Sequence, residues 1–188
     1  MSHGIYVTPI LNESSICSVQ IGNGDSKILS CENFHGTSIP NYLKDGIENY
    51  QMKIEGGNCV ITLTAEQGQW GYTVVWDYTQ DKLVHLTNTP FASFATVLDS
   101  KVVVVYLVQY WGHPADLWYS AAPLELVDPN YEPEMFPLDM ALDDSVKDPA
   151  NFFADFKVCQ KDRKVFFRTG KQEVCVDKLP DDTTFNTD

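Results

Sequence analysis

Residues 70–109, WGYTVVWDYTQDKLVHLTNTPFASFATVLDSKVVVVYLVQ, decide the fold class of this chain. Trp70, Tyr72, Val74 and Trp76 alternate with Gly71, Thr73 and Val75, the period-two pattern of a strand with two unlike faces. A polar turn follows over 77–81, residues 82–86 return, and after the Thr87-Asn88-Thr89-Pro90 loop residues 91–98 make another strand. Asp99-Ser100 then turns the chain into 101–109, whose near-continuous valines predict burial on both faces and a central strand.

Upstream, residues 50–55, a Gly56-Gly57 turn and residues 58–64 form the clearest hairpin. Tyr50, Met52 and Ile54 define a packed face there, and Gln51, Lys53 and Glu55 a wet one. Further strands are expected at 5–11, 16–21 and 27–31, the last two joined by Gly22-Asn23-Gly24-Asp25. Residues 32–49 break the pattern, with Pro40 opening a helical turn over 41–44 that Gly46 stops. Downstream, a short strand at 117–120 precedes five prolines in the 27 residues from Pro123 to Pro149, which argue against long regular elements. Strands at 152–158, 165–168 and 172–176 close the pattern, and 181–188 reads as a frayed acidic tail. The expectation is one all-β domain over 1–180, an antiparallel meander closed as a sandwich or small barrel, with one or two short helical turns.

One stretch points to an alternative. Val74-Val75-Trp76-Asp77-Tyr78-Thr79-Gln80-Asp81-Lys82-Leu83-Val84 resembles the end of a WD-type β-propeller blade, in which a Trp-Asp pair precedes a polar turn, a Lys and the outer strand. The resemblance implies a small propeller-like arrangement, with 91–98, 101–109 and 117–120 as inner strands of the next blade. It extends over residues 70–120 only, and no second Trp-Asp follows at a period of about 40 to 45 residues.

Charge constrains the partner. Twenty-six acids against thirteen bases give −13, a field that repels phosphate backbones and anionic membrane surfaces, so neither nucleic acid nor membrane is expected. Nine acids and one base fall within residues 125–155, a local −8, and the rest of the chain reads as only mildly acidic. The five cysteines are odd in number and widely spaced, the pattern of reduced thiols; Cys17, Cys31, Cys59 and Cys175 lie in apolar strand-like settings that predict burial. The N-terminus lacks the basic and apolar regions of a signal peptide, and the longest apolar run, 102–108, is far below the ~20 residues of a membrane span. Those absences make a cytoplasmic protein the expectation.

Chemistry-bearing motifs are sparse. His3, His35, His85 and His113 have no metal-ligand spacing, and neither a metal nor a cofactor is expected. There is no Gly-x-Ser-x-Gly elbow, and Gly22-Asn23-Gly24 precedes a strand rather than a helix, which removes the phosphate-cradle reading. Trp70, Trp76 and Trp118 read as core. Trp111 differs, because its loop also carries Tyr110, His113 and Asp116, the side-chain types of a ligand site.

The leading expectation is a non-enzymatic interaction domain, inhibitor- or immunity-like, whose Glu132, Glu134, Asp143 and Asp144 meet a basic protein partner. The alternatives place a small molecule or sugar, or a carboxylate-based hydrolase, at Tyr110, Trp111, His113 and Asp116.

Overall fold

Val102, Val104, Tyr106 and Val108 enter one apolar cluster, and Val103, Val105 and Leu107 enter another, so the valine run is buried on both faces. It forms β9 (Lys101–Val108), flanked antiparallel by β8 (Ala92–Leu98) and β10 (Asp116–Pro123). The computed structural model describes residues 4–34, 46–109, 112–142 and 147–180. The expected helical turn at 41–44 and the tail at 181–188 lie outside the described residues.

Four sheets follow one another along the chain. The first holds β1 (Ile5–Pro9), β2 (Ser15–Ile21) and β3 (Ser26–Ser30). The second is the meander β4 (Asn49–Glu55), β5 (Asn58–Ala65), β6 (Trp70–Asp77) and β7 (Lys82–Asn88), to which the two-residue β11 (Leu126–Val127) adds parallel to β7. β8, β9 and β10 make the third, with β12 (Phe136–Pro137) on the outer side of β10. The fourth holds β13 (Lys157–Lys161), β14 (Lys164–Arg168) and β15 (Glu173–Val176). None of the four closes into a barrel, so that expectation is corrected: the first and last strands of each sheet do not pair.

Three apolar clusters lie between successive sheets. Ile16, Val19 and Leu29 of the first sheet meet Ile61, Leu63, Val74 and Trp76 of the second. On the other face of the second sheet, Val60 and Val75 meet Ala95, Val102 and Val104 of the third. Val103, Val105 and Tyr119, from the far face of the third sheet, meet Phe153, Phe156, Val165 and Phe167. Each large side chain buried in this way contributes about 1.5 to 3 kcal/mol by leaving water.

The Trp-Asp turn is closed by its own side chains. Trp76 is fully buried, and its Nε1 donates to Asp81 Oδ1 at 3.1 Å. Asp77 Oδ1 accepts from the Thr79 hydroxyl at 2.6 Å and from the Thr79 and Gln80 amides at 3.0 and 3.1 Å. Those bonds, the Thr79 hydroxyl first, hold the Asp77 carboxyl below its ordinary range.

Five local expectations need correction, the first being that Tyr50, 50% exposed near the start of β4, does not join that strand's packed face. The Lys53–Glu55 face of β4 is not wet, because β8 covers it. Glu55 accepts from the Thr96 hydroxyl at 2.7 Å and the Val97 amide at 2.9 Å, while Lys53 pairs with Glu55 at 3.0 Å and lies 3.8 Å from the Phe94 ring centroid. Trp70 is 50% exposed rather than core, since it begins β6 beside the turn at 66–69 while its alternation partners Tyr72, Val74 and Trp76 are buried. The strand expected at 152–158 starts instead with a helical turn, α1 (Pro149–Phe152), whose first turn Asp148 caps through the Asn151 and Phe152 amides. Cys175 is exposed and Cys159 half-buried, whereas Cys17, Cys31 and Cys59 are buried. Cys175 faces outward because its neighbours Val174 and Val176 take the core side of β15. No helix among the described residues is long and apolar enough to cross a membrane.

Candidate functional site

The acidic segment crosses from the second sheet to the third, and that crossing builds the site. At its start the buried His85 of β7 holds the bend after β10. Nδ1 faces the Pro123 and Leu124 carbonyls at 3.0 and 3.2 Å, so Nδ1 carries the proton, and Nε2 accepts from the Thr87 hydroxyl at 3.0 Å. Burial pushes His85 down to about 4, a fixed neutral ring. Main-chain bonds then clip the segment to β7: Asp128 N to Leu86 O and Asn88 N to Tyr131 O, both at 2.8 Å. At its far end β12 pairs with β10, Phe136 opposite Tyr119 and Pro137 opposite Trp118, and Leu138 N reaches Leu117 O.

Between these two attachments the segment passes the mouth of the β9–β10 loop. A cleft of about 700 Å³ lies there, lined by His113 from the loop, Asp116 and Trp118 from β10, and Glu132 and Met135 from the segment. Gln69, Pro90 and Phe91 also line it. Phe91 is held at φ 63°, and its amide donates to Gly68 O at 2.6 Å. A Cβ on Gly68, itself at φ 88°, would stand 2.9 Å from the Phe91 ring, so glycine is what lets the ring seat against the wall.

The walls differ in chemistry. Phe91, Trp118 and Met135 give apolar surface, and Trp118 and Met135 also pack on the cluster between the second and third sheets. Asp116 and Glu132 are exposed acids, and His113 is exposed beside them. Near Glu132, Tyr106 is buried with its hydroxyl 2.7 Å from Ser120 Oγ. Burial foremost, with the Glu132 charge adding, drives the Tyr106 phenol well above its ordinary range and keeps it neutral. A second groove of about 970 Å³ shares Pro114, Asp116 and Trp118 and continues along Leu138, Asp139 and Met140. Asp116 therefore faces both.

Of the residues expected from sequence, the structure brings His113 and Asp116 together with Glu132, joining two groups that sequence assigned to rival functions. Glu134 is exposed on the same segment but does not line the cleft. Tyr110, Trp111, Asp143 and Asp144 lie outside the described residues. Sequence missed Trp118, read as core, along with Phe91, Gln69 and Met135. The signal for Trp118 was present: Asp116 and Trp118 are two apart on a strand and so share a face. Among the described residues no group of three or more His, Cys, Asp or Glu is placed to hold a metal ion. No protein-family model, curated protein or solved structure matches the chain.

Proposed function

We propose that the chain is a non-enzymatic interaction domain, a layered β-sandwich of the cytoplasm whose cleft captures a basic side chain of a protein partner. The observation that carries the proposal is the pairing of Asp116 and Glu132 with Trp118, Phe91 and Met135 around one cleft. A lysine or arginine has an apolar stem and a charged head, and this cleft offers an aromatic wall for the one and two carboxylates for the other. The surrounding acidic segment, −8 over residues 125–155, would draw a basic partner in by charge steering. An inhibitor- or immunity-like role fits that profile. The succession of four sheets with three intervening clusters supports the sandwich, and the Trp76–Asp77 turn supports a propeller-like arrangement of the same sheets as the alternative.

A second reading, a small organic cation as the ligand, is favoured by the cleft volume of about 700 Å³, which lies within the usual range of small-molecule sites. One titration addresses both. The full chain is titrated with an arginine-rich dodecapeptide and separately with N-acetylarginine amide, following the Trp118 indole resonance. The peptide should bind with strong salt dependence, and Asp116→Asn with Glu132→Gln should weaken it by about tenfold or more, since two charge contacts are lost. Equal binding by the double variant would sink the cleft assignment. Tight binding of the amide alone, matching the peptide, would select the small-cation reading.

A further inference from the structure

The fourth sheet has the opposite sign to the rest of the molecule. Residues 157–178 hold seven of the thirteen bases against three acids, a local +4, so the remainder of the chain carries −17. The reading of everything outside 125–155 as mildly acidic averaged over this reversal. Strand alternation sorts the charges. Val158, Val165, Phe167, Val174 and Val176 take the core side, which leaves Lys157, Lys161, Lys164 and Arg168 exposed on the other.

Register makes this face unusual. Lys157 stands opposite Arg168, and Lys161 opposite Lys164, while Cys159, Phe166 and Cys175 form a row between them. Like charges directly opposite on neighbouring strands destabilise a sheet, and here two such pairs occur on one hairpin. Arg168 has Glu173 as a partner and lies 5.5 Å from the Phe166 ring centroid. Lys157, Lys161 and Lys164 make no ion pair with any other described residue. Of these four cations only Arg168 gains an ion pair on folding, and the three lysines gain none among the described residues. An anion laid across it would relieve both pairs.

We infer that the outer face of the fourth sheet docks a short, extended, carboxylate-rich segment of a partner protein, of the pattern acid-x-apolar-x-acid. The dimensions carry the pattern. Lys157 and Lys161 are four residues apart on one strand, about 13 Å at the usual rise. Positions i and i+4 of an extended peptide have that same spacing and share a face with i+2. Its two acids meet the two basic rows, and its apolar side chain meets the Phe166 row. A nucleic acid fits less well. Its charge continues every few ångströms beyond a face about 16 Å long and runs into the field of the remaining −17. This inference is independent of the acidic cleft.

The test uses the full chain and a fluorescein-labelled nonapeptide with the core Glu-Ser-Phe-Ser-Glu, beside the same peptide with Gln for Glu and a single-stranded oligothymidine. The informative variant is Lys157→Glu with Lys161→Glu, which turns both like-charge pairs into attractive ones. Its thermal midpoint should rise while affinity for the acidic peptide falls by about tenfold or more. A merely structural role would move both in the same direction. Unchanged peptide affinity in the variant, or equal binding of the Gln peptide, overturns the inference. So does oligothymidine binding as tightly as the acidic peptide and losing affinity in the variant, which would assign the face to a polynucleotide. Self-association of the parent chain at low salt, abolished by the variant, would assign it to the acidic segment of a second copy.

Discussion

Protonating His85 would place a charge in a fully buried site where Nδ1 is already committed to two carbonyls. Its folded value of about 4 lies below the ordinary 6.5. Between those values the unfolded chain binds the proton and the folded chain does not, so folding stability is fully present above pH 6.5 and falls as pH drops toward 4. The difference is on the order of 3 kcal/mol at full development. Urea unfolding of the parent and of His85→Asn, at steps between neutral and mildly acidic pH, checks it. The parent should lose stability relative to the variant through that window, and parallel curves would refute the assignment. His85 also shows how little a residue's identity says by itself: sequence offers it as one of four histidines, and only the crossing of residues 123 and 124 over β7 makes it a clamp.

At the scale of elements, hairpins were legible and what covers them was not. The Gly56-Gly57 turn, the Asp99-Ser100 turn and the valine strand follow from local chemistry and alternation, and each is present as read. The Lys53–Glu55 face looked wet because alternation marks a face as polar without saying what lies above it. Here β8 lies above it, and Glu55 bonds to that strand's Thr96 and Val97. Glu55→Ala strands the Lys53 ammonium and the Val97 amide, and should cost about 2 to 3 kcal/mol in chemical unfolding. Adding Lys53→Met to it should recover part of that loss, since the stranded charge goes too; no recovery would mean the ion pair is not what matters. The β13–β14 hairpin turns on Asp162 and Arg163 at φ 53° and 69°, a left-handed pair that glycine adopts more readily. Arg163→Gly should therefore raise stability by about 1 kcal/mol, read as a higher thermal midpoint. A lower midpoint would show that the Arg163 side chain contributes more than its backbone strain costs.

Across the whole molecule, the second and third sheets have apolar clusters on both faces, while the first and fourth are covered on one. Amide hydrogen exchange should follow that order, with β5, β6 and β9 the last to exchange and β1 and β15 among the first. Equal protection of β1 and β9 would contradict the layering. The amino-acid sequence alone determined that this is a β protein, where its turns fall and which strand lies at the centre, because period-two alternation and turn chemistry act between near neighbours. It also placed His113, Asp116 and Glu132 among the residues of interest. Only the tertiary structure decided that the barrel does not close, that Trp70 is exposed, that the loop and the acidic segment share one cleft, and that four bases gather on one face. Each of those depends on which surfaces meet across tens of residues, and a charge sum or an alternation pattern does not contain that distance.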